Sequence, residues 1–357
     1  MTSPIALLMA GGTGGHVFPA LAVAEVLRER GFEVQWLGTA RGIESRLVPA
    51  ANIKLHTIQV EGLRGKGSLQ LLLAPFKLLL SFKQALSVLR QVDPAIVLGF
   101  GGFASGPGGL AARLLGKPLV IHEQNAVAGT TNRWLARVAS QTLEAFDSGL
   151  ANAERIGNPV RAQIAALPTP VERFTERAGP LRVLVLGGSL GAQAINETMP
   201  EVCKQLPAKS VEIRHQCGEK NLASCQQAYA EVVEQSVQIT AFVEDMAEAY
   251  GWADLVVCRA GALTVSEIAT AGLPAIFIPF PYAIDDHQSA NAQWLVSVGA
   301  AWCLPQADLS AARLSEIIQS QLGNRARLLE MANNARAQAT PDAAEAVADV
   351  CQELLNG

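Results

Sequence analysis

Residues 5–15 read IALLMAGGTGG, and residues 183–191 read VLVLGGSLG. Each is a short apolar run that stops at a cluster of glycines. The first leads into Pro19, Leu21, Val23 and Leu27, at helical spacing. That combination predicts a buried parallel strand, a tight turn and a crossover helix. Its occurrence once in each half predicts two doubly wound, Rossmann-like α/β domains. Working outward, further strands are predicted at Glu33–Leu37, Lys54–Ile58, Ala95–Leu98 and Leu119–His122 in the first half. In the second they fall at Arg182–Leu186, Val211–Gln216, Val237–Thr240, Leu255–Cys258 and Ala275–Ile278. Between the halves, Pro159, Pro168, Pro170 and Pro180 predict a linker with a boundary near Arg161, hence domains 1–161 and 162–340. The final run, Ala343–Leu354, has helical spacing and fits either domain.

The 357 residues suffice for two domains, and 50% hydrophobic with 17% charged residues excludes a disordered chain. A net charge of −4 gives no global attraction to nucleic acid. The six cysteines form no CxxC pair and read as reduced thiols. No basic residue precedes Arg28, so nothing suggests export. The uncharged stretch Pro94–Ala112 reads as a buried strand and a flexible loop rather than a membrane span, and the prolines in Ile268–Ile284 exclude a spanning helix there. Between Leu63 and Arg90, however, Arg64, Lys66, Lys77 and Lys83 are interleaved with the apolar residues of Leu69–Phe82, and no acidic residue intervenes. Such a segment suits an anionic membrane surface. A core helix with solvated lysines is the competing reading.

Three glycine loops follow predicted strands: Gly11–Gly15 with His16, Gly99–Gly106, and Gly187–Gly191. Each can bring backbone N–H groups to a phosphate, or can simply be a tight turn. The second strand ends Trp36-Leu37-Gly38-Thr39, without the acid that a dinucleotide fold uses for ribose, and no GxxxxGK[ST] occurs. No D-x-D or HExxH pattern appears, so a site without metal or cofactor is expected, its phosphates met by helix N-termini. In the second half, Arg259–Glu267 follows a strand. Its loop could receive a diphosphate and Glu267 the ribose hydroxyls, although a solvated helix residue is the plainer reading of Glu267. Asp285-Asp286-His287-Gln288 with Asn291 could read sugar hydroxyls or be an ordinary helix start.

GGTGGHVFPALAVA, GFGGFASGP, HEQNAVAG, Gly157-Asn158-Pro159-Val160-Arg161, LGGSLGA and CRAGALTVSEIATAGLPAIFIPFP together resemble a family of glycosyltransferase-B type enzymes. These bacterial enzymes add N-acetylglucosamine to lipid I in peptidoglycan synthesis. The resemblance spans nearly the whole chain. It implies acceptor binding mainly by the amino-terminal domain and UDP-N-acetylglucosamine binding mainly by the second, across a cleft, with the carboxyl-terminal helix 341–357 returning to the first. Carried over by motif, Glu267 would hold the ribose, backbone near Val243 the uracil, and Ser189 with Ala262, Leu263 and Thr264 the diphosphate, with Val265 and Ser266 also in the UDP-N-acetylglucosamine site. Gln288 would meet the sugar hydroxyls. Thr13, Gly14, Gly15, Asn125 and Arg161 would complete the donor site. Gly14, Gly15, Gly101, Gly102 and Ser105 would form the acceptor pyrophosphate loops.

The implied reaction is an inverting attack by the muramyl 4-hydroxyl on the anomeric carbon, with loss of UDP. It needs a base, and His16 is the first candidate because an imidazole titrates near neutral pH. Glu123 is the rival, and a purely positioning role for His16 is the alternative. The implied location is peripheral, on the cytoplasmic face of the inner membrane, among other cell-wall synthesis proteins. A UDP-N-acetylglucosamine 2-epimerase, another lipid glycosyltransferase and a non-catalytic sugar-nucleotide binder are competing functions for the same fold.

Overall fold

The computed structural model describes residues 3–60, 74–175, 177–188, 191–283 and 286–356. Arg64, Lys66, Leu69–Leu73, Ser189 and Asp285 lie outside the described residues. The chain divides into two compact units, Met1–Arg161 with Thr340–Gly357, and Ala162–Ala339.

In chain order the first unit runs β1 (Ile5–Met9), α1 (Gly14–Glu29), β2 (Glu33–Gly38), α2 (Glu44–Ala50), β3 (Lys54–Thr57), α3 (Ala74–Val92), β4 (Ile96–Gly99), α4 (Ser105–Leu114), β5 (Leu119–Glu123), α5 (Thr130–Leu135), β6 (Gln141–Glu144) and β7 (Glu154–Arg155). Its strands form one parallel sheet in the order β3-β2-β1-β4-β5-β6-β7. The central strand shows why the apolar run must be continuous. Ala6 and Leu8 enter the core on one face, Leu7 and Met9 the core on the other, as in a sheet covered by helices on both sides.

The second unit runs α6 (Ala162–Ala165), α7 (Pro170–Thr175), β8 (Leu181–Leu186), α8 (Gln193–Gln205), β9 (Val211–Gln216), α9 (Leu222–Tyr229), β10 (Ser236–Thr240), α10 (Met246–Trp252), β11 (Leu255–Cys258), α11 (Ala262–Ala271), β12 (Ala275–Phe277), α12 (His287–Val296), β13 (Ala301–Cys303), α13 (Ala311–Gln319) and α14 (Arg325–Arg336). Its parallel sheet has the order β10-β9-β8-β11-β12-β13. The last helix, α15 (Ala343–Asn356), belongs to the first unit. Ala344, Val347, Ala348 and Cys351, on one helical face, share a core with Val17, Ala20, Val23 and Ala24 of α1. Arg30 reaches Asp349 at 2.6 Å.

Two expectations fail. The proline-rich segment after Arg161 is not a bare linker. Pro170 opens α7, where its missing N–H leaves nothing unpaired. Ile164 and Phe174 are buried, and Arg173 donates to the carbonyl of Gly272 at 2.8 Å and to that of Ala271. The segment is thus packed into the second unit. Similarly, Pro94–Ala112 holds no long flexible loop, because Ser105 begins α4. A β-carbon at Gly108 would fall 2.2 Å from Met9 Sδ, and one at Gly109 would fall 2.7 Å from Leu135. The glycines let this helix lie against the sheet. Strands β6, β7 and β13 have no counterpart among the strands predicted from sequence.

Candidate active site

In the first sheet β1 and β4 are neighbours, and the chain winds outward in opposite directions from them. The loops at their carboxyl ends therefore stand side by side, the usual ligand position in open α/β sheets. Gly102, at φ 86°, lies directly on Gly11, so a β-carbon there would come 2.5 Å from the Gly11 carbonyl oxygen. The Ser105 hydroxyl is buried between the carbonyls of Met9 (3.0 Å) and Gly101 (2.8 Å). Ser105 therefore locks these loops together and presents no hydroxyl outward.

The carboxylate of Glu44 lies beneath the first loop. Fully buried, it accepts from Gly12 N–H (3.0 Å), Thr39 N–H (3.0 Å) and Thr39 Oγ1 (2.7 Å). An acid does stand near the end of β2, but it is engaged with protein donors. Gly14 and Gly15 open α1, where position alone leaves first-turn N–H groups without an intrahelical acceptor. Phe18 packs on Gly14, and the Arg161 guanidinium lies 5.4 Å from the Phe18 ring centroid.

His16 sits in this first turn, partly buried, with its ring 3.0 Å from where a Gly101 β-carbon would be. Its Nδ1 is 2.8 Å from Gln124 Oε1. Gln124 Nε2 lies 3.0 Å from His122 Nδ1 and donates to the His122 carbonyl at 2.9 Å. His122 Nε2 is 2.9 Å from the Gly157 carbonyl. Burial pushes the His122 imidazole down to about 4, so it is neutral at physiological pH. Glu123, also buried, accepts from Asn125 N–H (2.9 Å) and Nδ2 (3.2 Å) on one oxygen. Its other oxygen accepts from Gly129 N–H (3.0 Å) and Asn132 Nδ2 (2.9 Å). That arrangement holds the loop after β5 and occupies both carboxylate oxygens.

In the second unit the corresponding neighbours are β8 and β11. Gln216, at the end of β9, grips the glycine loop. Its Oε1 accepts from Gly188 N–H, and its Nε2 donates to the carbonyls of Gly188 and Ala241, all at 3.0 Å. After β11, Gly261 caps α11, and the N–H groups of Ala262, Leu263 and Thr264 precede the first helical bond, from Val265. Val265 and Ser266 are buried in that helix. Glu267 is only 3% exposed and accepts from Tyr250 OH at 3.2 Å. It is not the solvated residue that helical position alone suggests.

The loops after β11 and β12 are tied together. Arg259 donates to the carbonyls of Ile278 (3.0 Å) and Pro279 (3.1 Å) and to Gln306 Oε1 (2.6 Å). Asn291 Nδ2 donates to the Ala260 carbonyl at 3.1 Å, and Gln288 Oε1 accepts from Phe280 N–H at 2.9 Å. Val243 lines a cavity of about 300 Å³ with Gln216, Thr240, Phe242 and the Arg214–Glu248 ion pair (2.8 Å). No role for Glu44, Gln124, His122 or Gln216 is predicted from sequence; His122 and Gln124 stand in the HEQNAVAG motif, but the loops that all four hold are distant in the chain. Among the described residues, no group of three or more His, Cys, Asp or Glu could hold a metal ion.

Residues 6–144 match the glycosyltransferase family 28 N-terminal domain and residues 182–347 the glycosyltransferase family 28 C-terminal domain. The chain is 53% identical to the UDP-N-acetylglucosamine–N-acetylmuramyl-(pentapeptide) pyrophosphoryl-undecaprenol N-acetylglucosamine transferase of Marinobacter nauticus, over 98% of both chains. It is 54% identical to the transferase of the same name from Cellvibrio japonicus, again over 98% of each. A crystal structure of Acinetobacter baumannii MurG superposes with a TM-score of 0.85 at 44% identity, covering 98% of this chain and 99% of that one. The UDP-GlcNAc 2-epimerase of Neisseria meningitidis, solved with UDP-GlcNAc, has a TM-score of 0.68 at 12% identity, covering 98% of this chain and all (100%) of its own. That likeness shows a shared fold alone.

Proposed function

The chain belongs to glycosyltransferase family 28, and we propose that it acts as its relatives are named. It transfers N-acetylglucosamine from UDP-N-acetylglucosamine to N-acetylmuramyl-(pentapeptide) pyrophosphoryl-undecaprenol. The observation that carries this reading is identity above half, over almost the whole chain, to transferases of that name.

The residues divide the work as follows. In the second unit, the first-turn amides of α11 meet the departing diphosphate, where a helix N-terminus stabilises negative charge. Glu267 accepts from the ribose hydroxyls, the cavity beside Val243 takes the uracil, and Gln288 reads the sugar. In the first unit, Gly14 and Gly15 offer amides to the acceptor. His16 takes the proton of the attacking muramyl 4-hydroxyl as its oxygen bonds to the anomeric carbon and the bond to UDP breaks, giving a β linkage. His16 is preferred to Glu123 because both oxygens of Glu123 already hold a loop in place.

Attachment to the membrane surface is supported by α3. Ala74, Ser81, Ala85 and Leu89 are its buried stripe, while Phe76 is 73% exposed and Leu78, Leu79 and Leu80 are exposed beside Lys77 and Lys83. This is not a helix packed all round in a core. A large exposed apolar patch with cations suits anionic headgroups. Among the described residues no helix is long and apolar enough to cross a membrane, and attachment is peripheral, on the cytoplasmic face where a nucleotide sugar can meet a lipid-linked acceptor.

One assay tests the reaction: UDP-N-acetylglucosamine is supplied with and without a lipid I analogue, and UDP release and sugar transfer are followed. Transfer that depends on the acceptor is expected. Epimerised sugar formed without acceptor, or no turnover at all, would overturn the reading. Binding to anionic vesicles should weaken when Lys77 and Lys83 become Glu; unchanged binding would argue against the membrane face.

A further inference from the structure

We propose that Gln124 and His122 are positioning residues that fix His16 in a single neutral tautomer, with the proton on Nδ1 and the lone pair on Nε2. The proposal rests on the reading of His16 as the base and adds which nitrogen acts and what holds it.

Two groups in this chain of hydrogen bonds cannot reverse their roles. Backbone carbonyls only accept hydrogen bonds. At one end, the Gly157 carbonyl lies 2.9 Å from His122 Nε2, so that nitrogen must carry a proton. His122 is fully buried and neutral, so its Nδ1 holds a lone pair. In the middle, the carbonyl of His122 lies 2.9 Å from one terminal atom of the Gln124 amide. That atom must be the NH2 group, since an oxygen there would face another oxygen. Its second hydrogen then meets the Nδ1 lone pair of His122 at 3.0 Å. Both requirements orient the amide the same way.

The remaining atom of Gln124 is therefore its carbonyl oxygen, and it lies 2.8 Å from His16 Nδ1. An oxygen without a proton can only accept, so His16 Nδ1 donates. In a neutral imidazole this leaves Nε2 as the one basic nitrogen. When Nε2 takes the proton of the acceptor hydroxyl, the Nδ1–H bond persists, and the amide oxygen faces the new imidazolium. Gln124 so serves the base as a buried carboxylate does in a hydrolase triad, without adding a charge. The chain of bonds ends at Gly157, near where the polypeptide leaves the first unit.

The test uses intact protein labelled with 15N-histidine, with His16 assigned by the signals lost in His16→Ala. Long-range proton–nitrogen correlation at mildly alkaline pH should show His16 with its proton on Nδ1. In Gln124→Leu the tautomers should mix, and kcat should fall about ten- to a hundredfold, less than the loss of a general base itself, with KM for both substrates within about twofold. A His16 proton found on Nε2 in the unmodified protein would overturn the proposal, and this readout stands even where the variant fails to fold. An unchanged tautomer and kcat in folded Gln124→Leu would overturn it as well. The underlying reading fails separately: normal turnover by His16→Ala would remove the base while leaving the tautomer result intact.

Discussion

The two units place a glycine loop at the same point of the same kind of sheet, yet hold it by different chemistry. In the first, the loop amide of Gly12 is bonded to a buried carboxylate, Glu44. In the second, Gly188 is clasped on both its N–H and its carbonyl by the neutral amide of Gln216. We propose that the difference bears on what each loop receives. A fixed negative charge beneath a loop opposes a second anion close by, because Coulomb interactions weaken only slowly with distance in a poorly solvated setting. A neutral clasp leaves the positive field of the helix ends intact. On the proposed function, this favours the second unit for the donor's diphosphate. On the same proposal, the first holds the base, His16, beside the attacking hydroxyl.

The largest effect should come from the residue that has no counterpart in the second loop. Replacing His16 with Ala is expected to lower kcat by roughly two to four orders of magnitude, the range for loss of a general base. Steady-state kinetics with saturating donor would show it, and near-normal turnover would end that part of the comparison.

Next in size is a direct exchange of the clasps. Gln216→Glu puts a carboxylate beneath the second loop, and KM for UDP-N-acetylglucosamine should rise about ten- to a hundredfold, on the scale of one extra charge at a partly screened site. The reciprocal Glu44→Gln should leave donor KM nearly unchanged. Equal effects of the two substitutions would show that the clasps do not sort the ligands.

The smallest effect concerns stability, and here the units are alike. Each buries one neutral histidine, His122 in the first and His215 in the second, and burial pushes both down to about 4 from 6.5. His215 is held between Tyr229 OH (2.8 Å) and Asn196 Oδ1 (3.0 Å). Above pH 6.5 neither state is protonated and stability is unaffected. As pH falls from 6.5 toward 4 the unfolded chain takes up protons that the folded chain refuses, so stability declines, by on the order of 2–3 kcal/mol per histidine. Urea midpoints across that window should fall, and His215→Gln should flatten the fall by about half of the histidine contribution. An unchanged slope in that variant would place the acid sensitivity elsewhere.

Much of the architecture was legible because it is written in local pattern. Leu7, Leu8 and Met9 announce a strand buried on both faces, and the glycines after them announce where it turns. The later strands were harder. Gln141–Glu144 carries polar residues, and Thr142 and Glu144 are buried in β6 only because β5 offers a matching edge. The prolines after Arg161 suggest a linker because proline both breaks a helix and begins one, and only packing distinguishes the two. Among the site residues, Glu267 looked solvated from its position on a helix, but α10 brings Tyr250 over it. Ser105, placed by the resemblance in a pyrophosphate loop, and Glu123, the rival base, both have side chains that the fold buries.

The sequence alone determined that there are two parallel-sheet units and that glycine turns open their helices, since strand, turn and helix signals are properties of adjacent residues. Only the tertiary structure decided what holds each loop and its neighbouring side chains. Glu44 meets Gly12 from 32 positions away, Gln216 meets Gly188 from 28, and Gln124 meets His16 from 108. Even where such a residue stands in a motif, nothing local says which distant residue it pairs with, and the pairs exist only once the sheet has brought the strand ends together.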